Sequence, residues 1–295
     1  MNNKITLSVI LPVLNDQENL DRILGELGAN PPVEDWELII VDDGSEEPLL
    51  LGGNPPRNWQ LIRNTKRMGA AASRNIGVQE TVGEYVVFLS VFLKIPTDYL
   101  SRLKQFLVET EFDFAQHAIE KAPEITATHF QSFLAGQKER LGSGKSNLSI
   151  KQSLFTAAVM KTELFCSLKG FDDSMNHYGG HELDFIYRLD RAGYQKRILI
   201  SSIPLERVKL EDHQKTKNRL VEYGQVGLPN LLLKHRGVKD RILIYPLFWK
   251  MISFTGFTHW IEKVLNQKVI ADQPLPVWVY RLYLHLIVRN AWDAR

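Results

Sequence analysis

The chain carries one cysteine, Cys166, in 295 residues. A lone cysteine excludes an internal disulfide framework and any cysteine-based zinc site, and it fits a reducing, cytoplasmic setting. Charge of either sign is not in excess. The 36 Lys and Arg residues face 34 Asp and Glu residues, a net of +2, so no global field points to nucleic acid. Long apolar runs are missing too: no stretch approaches the roughly 18 residues of a membrane span. The first apolar run, Ile5 to Leu11, is broken at Pro12 and is too short for a secretory h-region with its cleavage site. What these absences leave is a soluble chain, long enough for one large α/β domain with or without an appendage.

Ile5 to Leu11 is a continuous β-branched and apolar run, the pattern of a strand buried on both faces of a parallel sheet. Asn15-Asp16-Gln17-Glu18 supplies N-cap chemistry for a helix whose apolar stripe is Leu20, Ile23, Leu24 and Leu27. A second strand, Glu37 to Val41, runs into Asp42-Asp43-Gly44-Ser45. Two carboxylates then stand at the carboxyl end of a parallel strand, the edge where open α/β sheets bind ligands. A third strand, Trp59 to Ile62, leads through Gly69 into the small-residue helix Ala70 to Gly77, with Lys66, Arg67 and Arg74 as cations for phosphate. Gly83-Glu84 turns the chain into the strand Tyr85 to Leu89. This order predicts a doubly wound sheet with right-handed crossovers.

The stretch from Phe171 to Gly193 contains Gly179-Gly180 followed by Leu183, Phe185, Ile186 and Leu189 at helical spacing. His181 and Glu182 fall in the first turn of that helix, beside its free N–H groups and positive end. Such a carboxylate serves either as a general base or only as an N-terminal helix charge. Between the two halves, Phe112 to His117 reads as an edge strand, Thr128 to Arg140 as a helix, and Gly142 to Asn147 as a flexible loop, either a lid or a plain connection. Ile198 to Ile203 and Leu205 to Leu210 read as two short strands. From about Asp212 the composition shifts. Lys215 to Lys234 is a helical pattern broken at Gly224, Gly227 and Pro229, and Ile242 to Ile261 and Trp278 to Val288 are aromatic-rich amphipathic helices. These can pack on their own domain, pair with a second copy, or lie on a membrane face.

Five segments taken together carry a resemblance: Val9 to Asn15, Ile39 to Ser45, Gly69 with Ser73-Arg74-Asn75, Gly83 to Leu89, and Gly179 to Leu189. In that order and spacing they resemble inverting glycosyltransferases of family 2 with a GT-A fold. The resemblance implies a GT-A (Rossmann-like, doubly wound, mostly parallel) domain over residues 1–210 and a helical C-terminal extension over 211–295. It implies a nucleotide-diphosphate sugar donor, a UDP-sugar by preference, and a glycan or lipid-linked glycan acceptor, with no nucleic acid among the partners. The positions matching the family's donor site are Pro12, Leu14, Asp42, Asp43, Gly69 and Arg74, with Ser90 and Lys94 beyond the fourth strand. Glu182 matches the acidic base that deprotonates the acceptor hydroxyl, and Gly180 and His181 fall on the acceptor side.

One departure stands out. Where the family carries Asp-X-Asp for a divalent metal, this chain has Ser90-Val91-Phe92. A hard cation wants oxygen ligands, and a serine with a phenylalanine does not hold one. Manganese or magnesium as cofactor is therefore doubtful on the sequence, and three readings stay open. A cation such as Lys94 replaces the metal; or the domain is a non-catalytic nucleotide- or glycan-binding subunit; or the metal is held elsewhere, with Glu211, Asp212 and His213 as weak candidates.

Overall fold

A computed structural model describes residues 7–30, 35–139, 155–175, 180–194, 198–235 and 256–295. The expected loop Gly142 to Asn147, residue Gly179 and most of the apolar run from Ile242 lie outside the described residues. Four strands come first: β1 (Leu7–Val13), β2 (Trp36–Asp42), β3 (Trp59–Arg63) and β4 (Tyr85–Phe88). They pair in parallel in the order β3-β2-β1-β4, as the sequence pattern predicts. Helices α1 (Gln17–Gly28) and α2 (Ala70–Gln79) make the crossovers. The Asp16 side chain caps α1 by accepting from the Asn19 N–H at 3.3 Å.

The central strands are buried on both faces, so their residues alternate between two cores. Val9 and Leu11 of β1 join Leu20, Ile23, Leu24 and Leu27 of α1 on one face, with Leu100, Leu103 and Leu107 of α3 (Tyr99–Glu109). Ile10 points the other way, into a core with Ala71 and Val78 of α2, Leu164 and Phe165 of α5 (Thr162–Ser167), and Phe185 and Leu189 of α6 (Gly180–Arg191). Helix, sheet and helix thus form three layers. Pro12 sits within β1 without loss. The Ile10 carbonyl accepts from Leu89 N–H at 3.0 Å, and with a period of two the missing Pro12 donor faces the same side, beyond the last residue of β4 paired to β1.

Past β4 the sheet becomes mixed: β7 (Ala158–Lys161) is antiparallel to both β4 and β6 (Phe114–Lys121). The full order is β3-β2-β1-β4-β7-β6-β8-β5, with β5 spanning Leu93–Lys94. Two expectations are corrected here. The strand expected at an edge, Phe112 to His117, is β6, and it lies inside the sheet between β7 and β8. The two short strands expected from Ile198 to Leu210 are one, β8 (Ile198–Arg207), parallel to β6 with a register shift between His117 and Ala118. That irregularity takes up the residues before Pro204, which has no N–H for a ladder.

The helical pattern expected to break at Gly224, Gly227 and Pro229 runs on instead. Helix α7 (His213–Glu222) continues through a π-helical stretch, Tyr223–Gly227, into α8 (Leu228–Lys234). A Cβ at Gly224 would stand 2.4 Å from the Val288 carbonyl oxygen, so glycine here permits close helix contact. Val288 belongs to α10 (Val277–Asp293), which packs with α9 (Phe257–Ile270) and with α4 (His129–Glu139) around Phe130, Phe133, Leu265, Tyr280, Tyr283 and Leu286. The C-terminal helices therefore share a core with α4, which lies within the first 210 residues. Among the described residues no helix is long and apolar enough to cross a membrane.

Candidate active site

Three loops meet at the carboxyl edge of the parallel strands, and the two aspartates after β2 tie them together. The Asp42 carboxylate is fully buried and accepts from the Ser45 N–H at 2.8 Å, the Leu49 N–H at 3.3 Å and Arg63 Nη1 at 3.3 Å. Burial pushes its pKa up, but the Ser45 hydroxyl, these N–H groups and Arg63 together hold it below the ordinary carboxylate value. Asp43 ties down the next loop by hydrogen bonds. Its Oδ1 accepts from the N–H groups of Met68 and Gly69 and the Ser73 hydroxyl at 2.9, 3.0 and 2.9 Å, and from Asn64 Nδ2 at 3.2 Å. Gly44 lies between them at φ +75, and a Cβ there would stand 2.5–2.6 Å from the backbone of Lys66 and Arg67. Only glycine takes both that conformation and that proximity.

The loop after β1 joins from the other side. Asn15 adopts φ 51, donates its N–H to Ser45 Oγ at 2.9 Å, and accepts from the Glu46 N–H at 2.8 Å. Pro12 and Leu14, half-buried, line the strand end that leads into it. Six of the expected donor-site positions are thus one neighbourhood, linked from Pro12 and Leu14 through Asp42 and Asp43 to Gly69 and Arg74. Within it, both carboxylates are engaged in holding backbone, while Lys66 and Arg67 stand exposed on the third loop.

Helix α2 connects this neighbourhood to the expected base. Arg74 is buried, and its Nη1 donates to Glu182 Oε1 at 3.0 Å while Nη2 donates to the Phe155 carbonyl at 3.2 Å. Its guanidinium lies 5.6 and 6.0 Å from the ring centres of Phe171 and Phe88. Asn75, the next residue, clasps the segment before α6: it donates to the Phe171 carbonyl at 2.8 Å and accepts from the Phe171 N–H at 2.9 Å. The first turn of α6 and the segment before it are thereby held against α2. The Glu182 side chain keeps 24% of its surface exposed, whereas His181 is buried edge-on to Phe171 with Nε2 4.0 Å from Glu182 Oε1. Helix α6 starts close to the π-helical stretch: a Cβ at Gly180 would be in ordinary contact with the Gly227 Cα at 3.6 Å, and its tightest neighbour would be Met175 Cε at 3.3 Å.

Two groups singled out in the sequence are turned elsewhere. Lys94 Nζ is 3.3 Å from Glu206 and 3.8 Å from Glu124, and the hydrogen bond and charge of Glu206 raise its pKa. His213 packs against α10, its Nε2 2.7 Å from the Tyr283 hydroxyl, and burial pushes its imidazole down. Its neighbours are likewise structural: Asp212 caps α7 by accepting from the Lys215 N–H at 2.9 Å, and Glu211 pairs with Arg219 at 2.6 Å.

The segment in place of Asp-X-Asp offers no donor set for a divalent ion. Ser90 Oγ accepts from the Phe92 N–H at 3.3 Å, Val91 is buried in the apolar core, and the Val91 carbonyl is already bonded to Arg22. Among the described residues no group of three or more His, Cys, Asp or Glu side chains could hold a metal. The residues present do not fit the ion.

Two features escaped sequence reasoning. Asp184 has no exposed surface and is held by Arg188 at 2.8 Å, by Lys234 at 2.7 Å and by His235 at 2.7 Å, pinning α6 to α8. The i, i+4 spacing of Asp184 and Arg188 on a helix with an apolar face was the available signal. Lys209, just past β8, comes to lie beside Phe92; no sequence signal marked it.

Comparison with solved structures defines the class. The structure of residues 1–349 of TarS from S. aureus in complex with UDP superposes with a TM-score of 0.53 at 14% identity, covering 98% of this chain and 91% of that one. GalNAc-T7 with UDP, GalNAc and Mn2+ gives a TM-score of 0.52 at 15% identity, covering 94% of this chain and 59% of that one. Another crystal structure of S. aureus TarS is covered over 55% of its chain. The fold is the GT-A fold of glycosyltransferases. Residues 8–165, more than half of the chain, match glycosyl transferase family 2, and the chain belongs to that family. Among curated relatives, the succinoglycan biosynthesis protein ExoA of Rhizobium meliloti is 25% identical over 96% of this chain and 87% of its own length. The uncharacterized glycosyltransferase YibD of Escherichia coli is 22% identical over 92% and 85%. The protein is thus a transferase enzyme. Glu182 lies beyond the residues matched to the family.

Proposed function

We propose that the protein transfers a hexose from a UDP-sugar to a hydroxyl of a growing glycan, with inversion at the anomeric carbon and without a divalent metal. The observation that carries this reading is the Arg74–Glu182 pair: it joins the donor-side helix α2 to the first turn of α6, so donor and acceptor sides are built as one unit. TarS solved with UDP and with UDP-GlcNAc supports the choice of nucleotide, and the ExoA relative supports a polysaccharide acceptor. The ribose and uracil would rest against Pro12, Leu14 and the loop that Asp42 and Asp43 hold rigid. The carboxylates act there by fixing the N–H-lined turns as well as by any contact of their own.

In the reaction the acceptor O–H bond breaks and its proton passes to the Glu182 carboxylate. The oxygen forms a bond to the anomeric carbon from the face away from the nucleotide, and the bond from that carbon to the diphosphate oxygen breaks with its electron pair left on UDP. A sugar hydroxyl is a poor nucleophile at neutral pH, so a placed base contributes typically ~10²- to 10⁴-fold. Arg74 fixes where that carboxylate stands, and His181, packed on Phe171, walls the acceptor side.

The test is turnover of a panel of UDP-sugars with polysaccharide and lipid-linked acceptors, in EDTA and in manganese, followed by anomeric analysis of the product. Product of inverted configuration formed in EDTA is the expected result. Retained configuration, or turnover that requires manganese, would reject inversion or metal independence respectively.

A further inference from the structure

If no ion sits at Ser90-Val91-Phe92, something else must meet the charge that develops on the leaving diphosphate. The cations at the carboxyl edge can be compared one by one. Arg63 is bonded to Asp42 and to the Ser45 carbonyl, Arg74 to Glu182 and the Phe155 carbonyl, and Lys94 lies between Glu206 and Glu124. Arg22 donates to the carbonyls of Val91 and Leu93, so it holds the substituted segment from below. Lys66 and Arg67 are exposed on the loop that Asp43 anchors, on the β3 side of the site.

Lys209 differs from all of these. The Val208 N–H donates to the Phe92 carbonyl at 2.9 Å, which sets the next residue directly beside the substituted segment. Lys209 Nζ lies 5.2 Å from the centre of the Phe92 ring, and among the described residues it pairs with the carboxylate of Asp16, whose Oδ2 is 3.6 Å away. Asp16 follows Asn15 on the loop after β1, the loop bonded to Ser45. The ammonium therefore spans from the strand end expected to bind nucleotide to the position where the family's metal carboxylates would stand, and its side chain remains 60% exposed. The aromatic ring that removes a metal ligand at Phe92 also provides a face on which a cation rests.

We propose that Lys209 is the cation that contacts the diphosphate of the donor and stabilises it as leaving group, taking over the charge that a metal supplies elsewhere in the fold. This rests on the donor reading given above. No proton or electron is exchanged in this role: the anomeric C–O bond breaks, the electron pair stays on the diphosphate oxygen, and the ammonium stays protonated against it. An ammonium serves as a point charge toward phosphate, and Arg serves the same anion through its fork.

The experiment is calorimetric titration of the full chain with UDP and with uridine, each in EDTA and again with manganese, for the wild type and for K209A, K209R, K94A and the double variant K66A/R67A. Uridine shares the base and ribose but lacks the diphosphate, so it separates the two halves of the site. The expected result is that K209A weakens UDP by about ten- to a hundredfold, the range of a lost hydrogen bond to a charged group. Uridine affinity should stay unchanged, K209R should retain most of the UDP affinity, and K94A should match the wild type. Three results would overturn the proposal: UDP affinity of K209A within twofold of wild type, a loss found in K66A/R67A and not in K209A, or wild-type binding that EDTA removes and manganese restores. If the wild type binds neither UDP nor uridine under any condition, the donor reading itself is rejected and the role of Lys209 falls with it.

Discussion

The turn after β2 and the helix α6 both depend on buried carboxylates, and they use them in opposite ways. Asp42 and Asp43 are satisfied mainly by backbone N–H groups and hydroxyls, with Arg63 the one cation among the described residues bonded to either. Asp184 is enclosed by two cationic side chains, Arg188 and Lys234, and by the imidazole of His235. Neutral donors let a loop be rigid without consuming cations, and Lys66 and Arg67 stand exposed on the loop that Asp43 holds. Charge-for-charge pairing fixes a helix against its neighbour but leaves no field to spare. Glu182, two residues before Asp184 on the same helix, belongs to neither case: it has a buried arginine beside it and an exposed fraction of its own.

That contrast yields a sharp test, with the largest effect at Glu182. In E182Q the side chain keeps its shape and loses its ability to accept a proton. Turnover should fall by ~10²- to 10⁴-fold, while UDP affinity measured by calorimetry stays near wild type. If Glu182 were structural like Asp184, the outcome would reverse, with the melting temperature falling and turnover per folded molecule preserved.

The next effect in size belongs to D184N. Removing one partner of a buried ion network leaves the others uncompensated, a loss of about 3–5 kcal/mol, readable as a lower denaturation midpoint. The acid limb of stability carries the same signature. Burial raises the pKa of Asp184, but Lys234, His235 and Arg188 bring it below the ordinary value; Asp172, bonded to Lys234 and Ser174, is brought down from 3.8 to about 2. For a carboxylate whose folded value is depressed, the stabilisation is full above the unfolded value and is lost as pH falls through the folded one. Stability should therefore drop from about pH 4 toward pH 2, and D184N should show a shallower fall. His117 opens that limb earlier. Buried between the Tyr99 hydroxyl at 2.9 Å and Ser201 Oγ at 2.5 Å, it is pushed down from 6.5 to about 3. The unfolded chain binds a proton below 6.5 that the folded one refuses, so stability starts to decline there.

A smaller effect is expected from G44A on the turn. Alanine at φ +75 is strained, and its Cβ meets the Lys66–Arg67 backbone; a non-glycine in that region costs about 1–3 kcal/mol. Because the strain falls on the loop that carries two exposed cations, UDP affinity should weaken together with stability. Preserved affinity in a destabilised G44A would show that this loop does not touch the donor.

How much of this was legible in the sequence follows from how local each signal is. The strand-to-turn switch at Val41-Asp42-Asp43-Gly44 is contiguous, and so is the helix start at Gly180-His181-Glu182; both read directly. The parallel order β3-β2-β1-β4 follows from alternating strands and helices with short turns. The antiparallel half was illegible because its pairing is non-local: β6 meets β7 across residues 114–160 and β8 across 114–207, and nothing in Phe112 to His117 says it has two neighbours. The bond from His235 to Asp184 spans 51 positions, and the contact of Lys209 with Phe92 exists only because the end of β8 pairs with β5, the short strand that begins just after Phe92. Glycines 224 and 227 misled for a related reason. They read as breaks by propensity, yet a packed helix tolerates them where another backbone must come close.

The smallest effect should be that of K94A, and its smallness is informative. Lys94 was singled out because it stands two residues past the lost metal motif, but sequence proximity is not spatial commitment. On the two-residue strand β5 its neighbour Leu93 is buried in the core, and Lys94 faces outward to Glu206 on β8, its partner in register. Exposed pairs of this kind contribute little to stability, because solvent screens them and both side chains lose freedom in forming them. Removing Lys94 should leave the melting temperature and the UDP affinity unchanged, and should raise the local negative charge at Glu206 and Glu124. If UDP affinity fell in K94A while K209A bound normally, the diphosphate would have to lie toward β5, and the division between paired structural cations and open donor-side cations would be drawn in the wrong place.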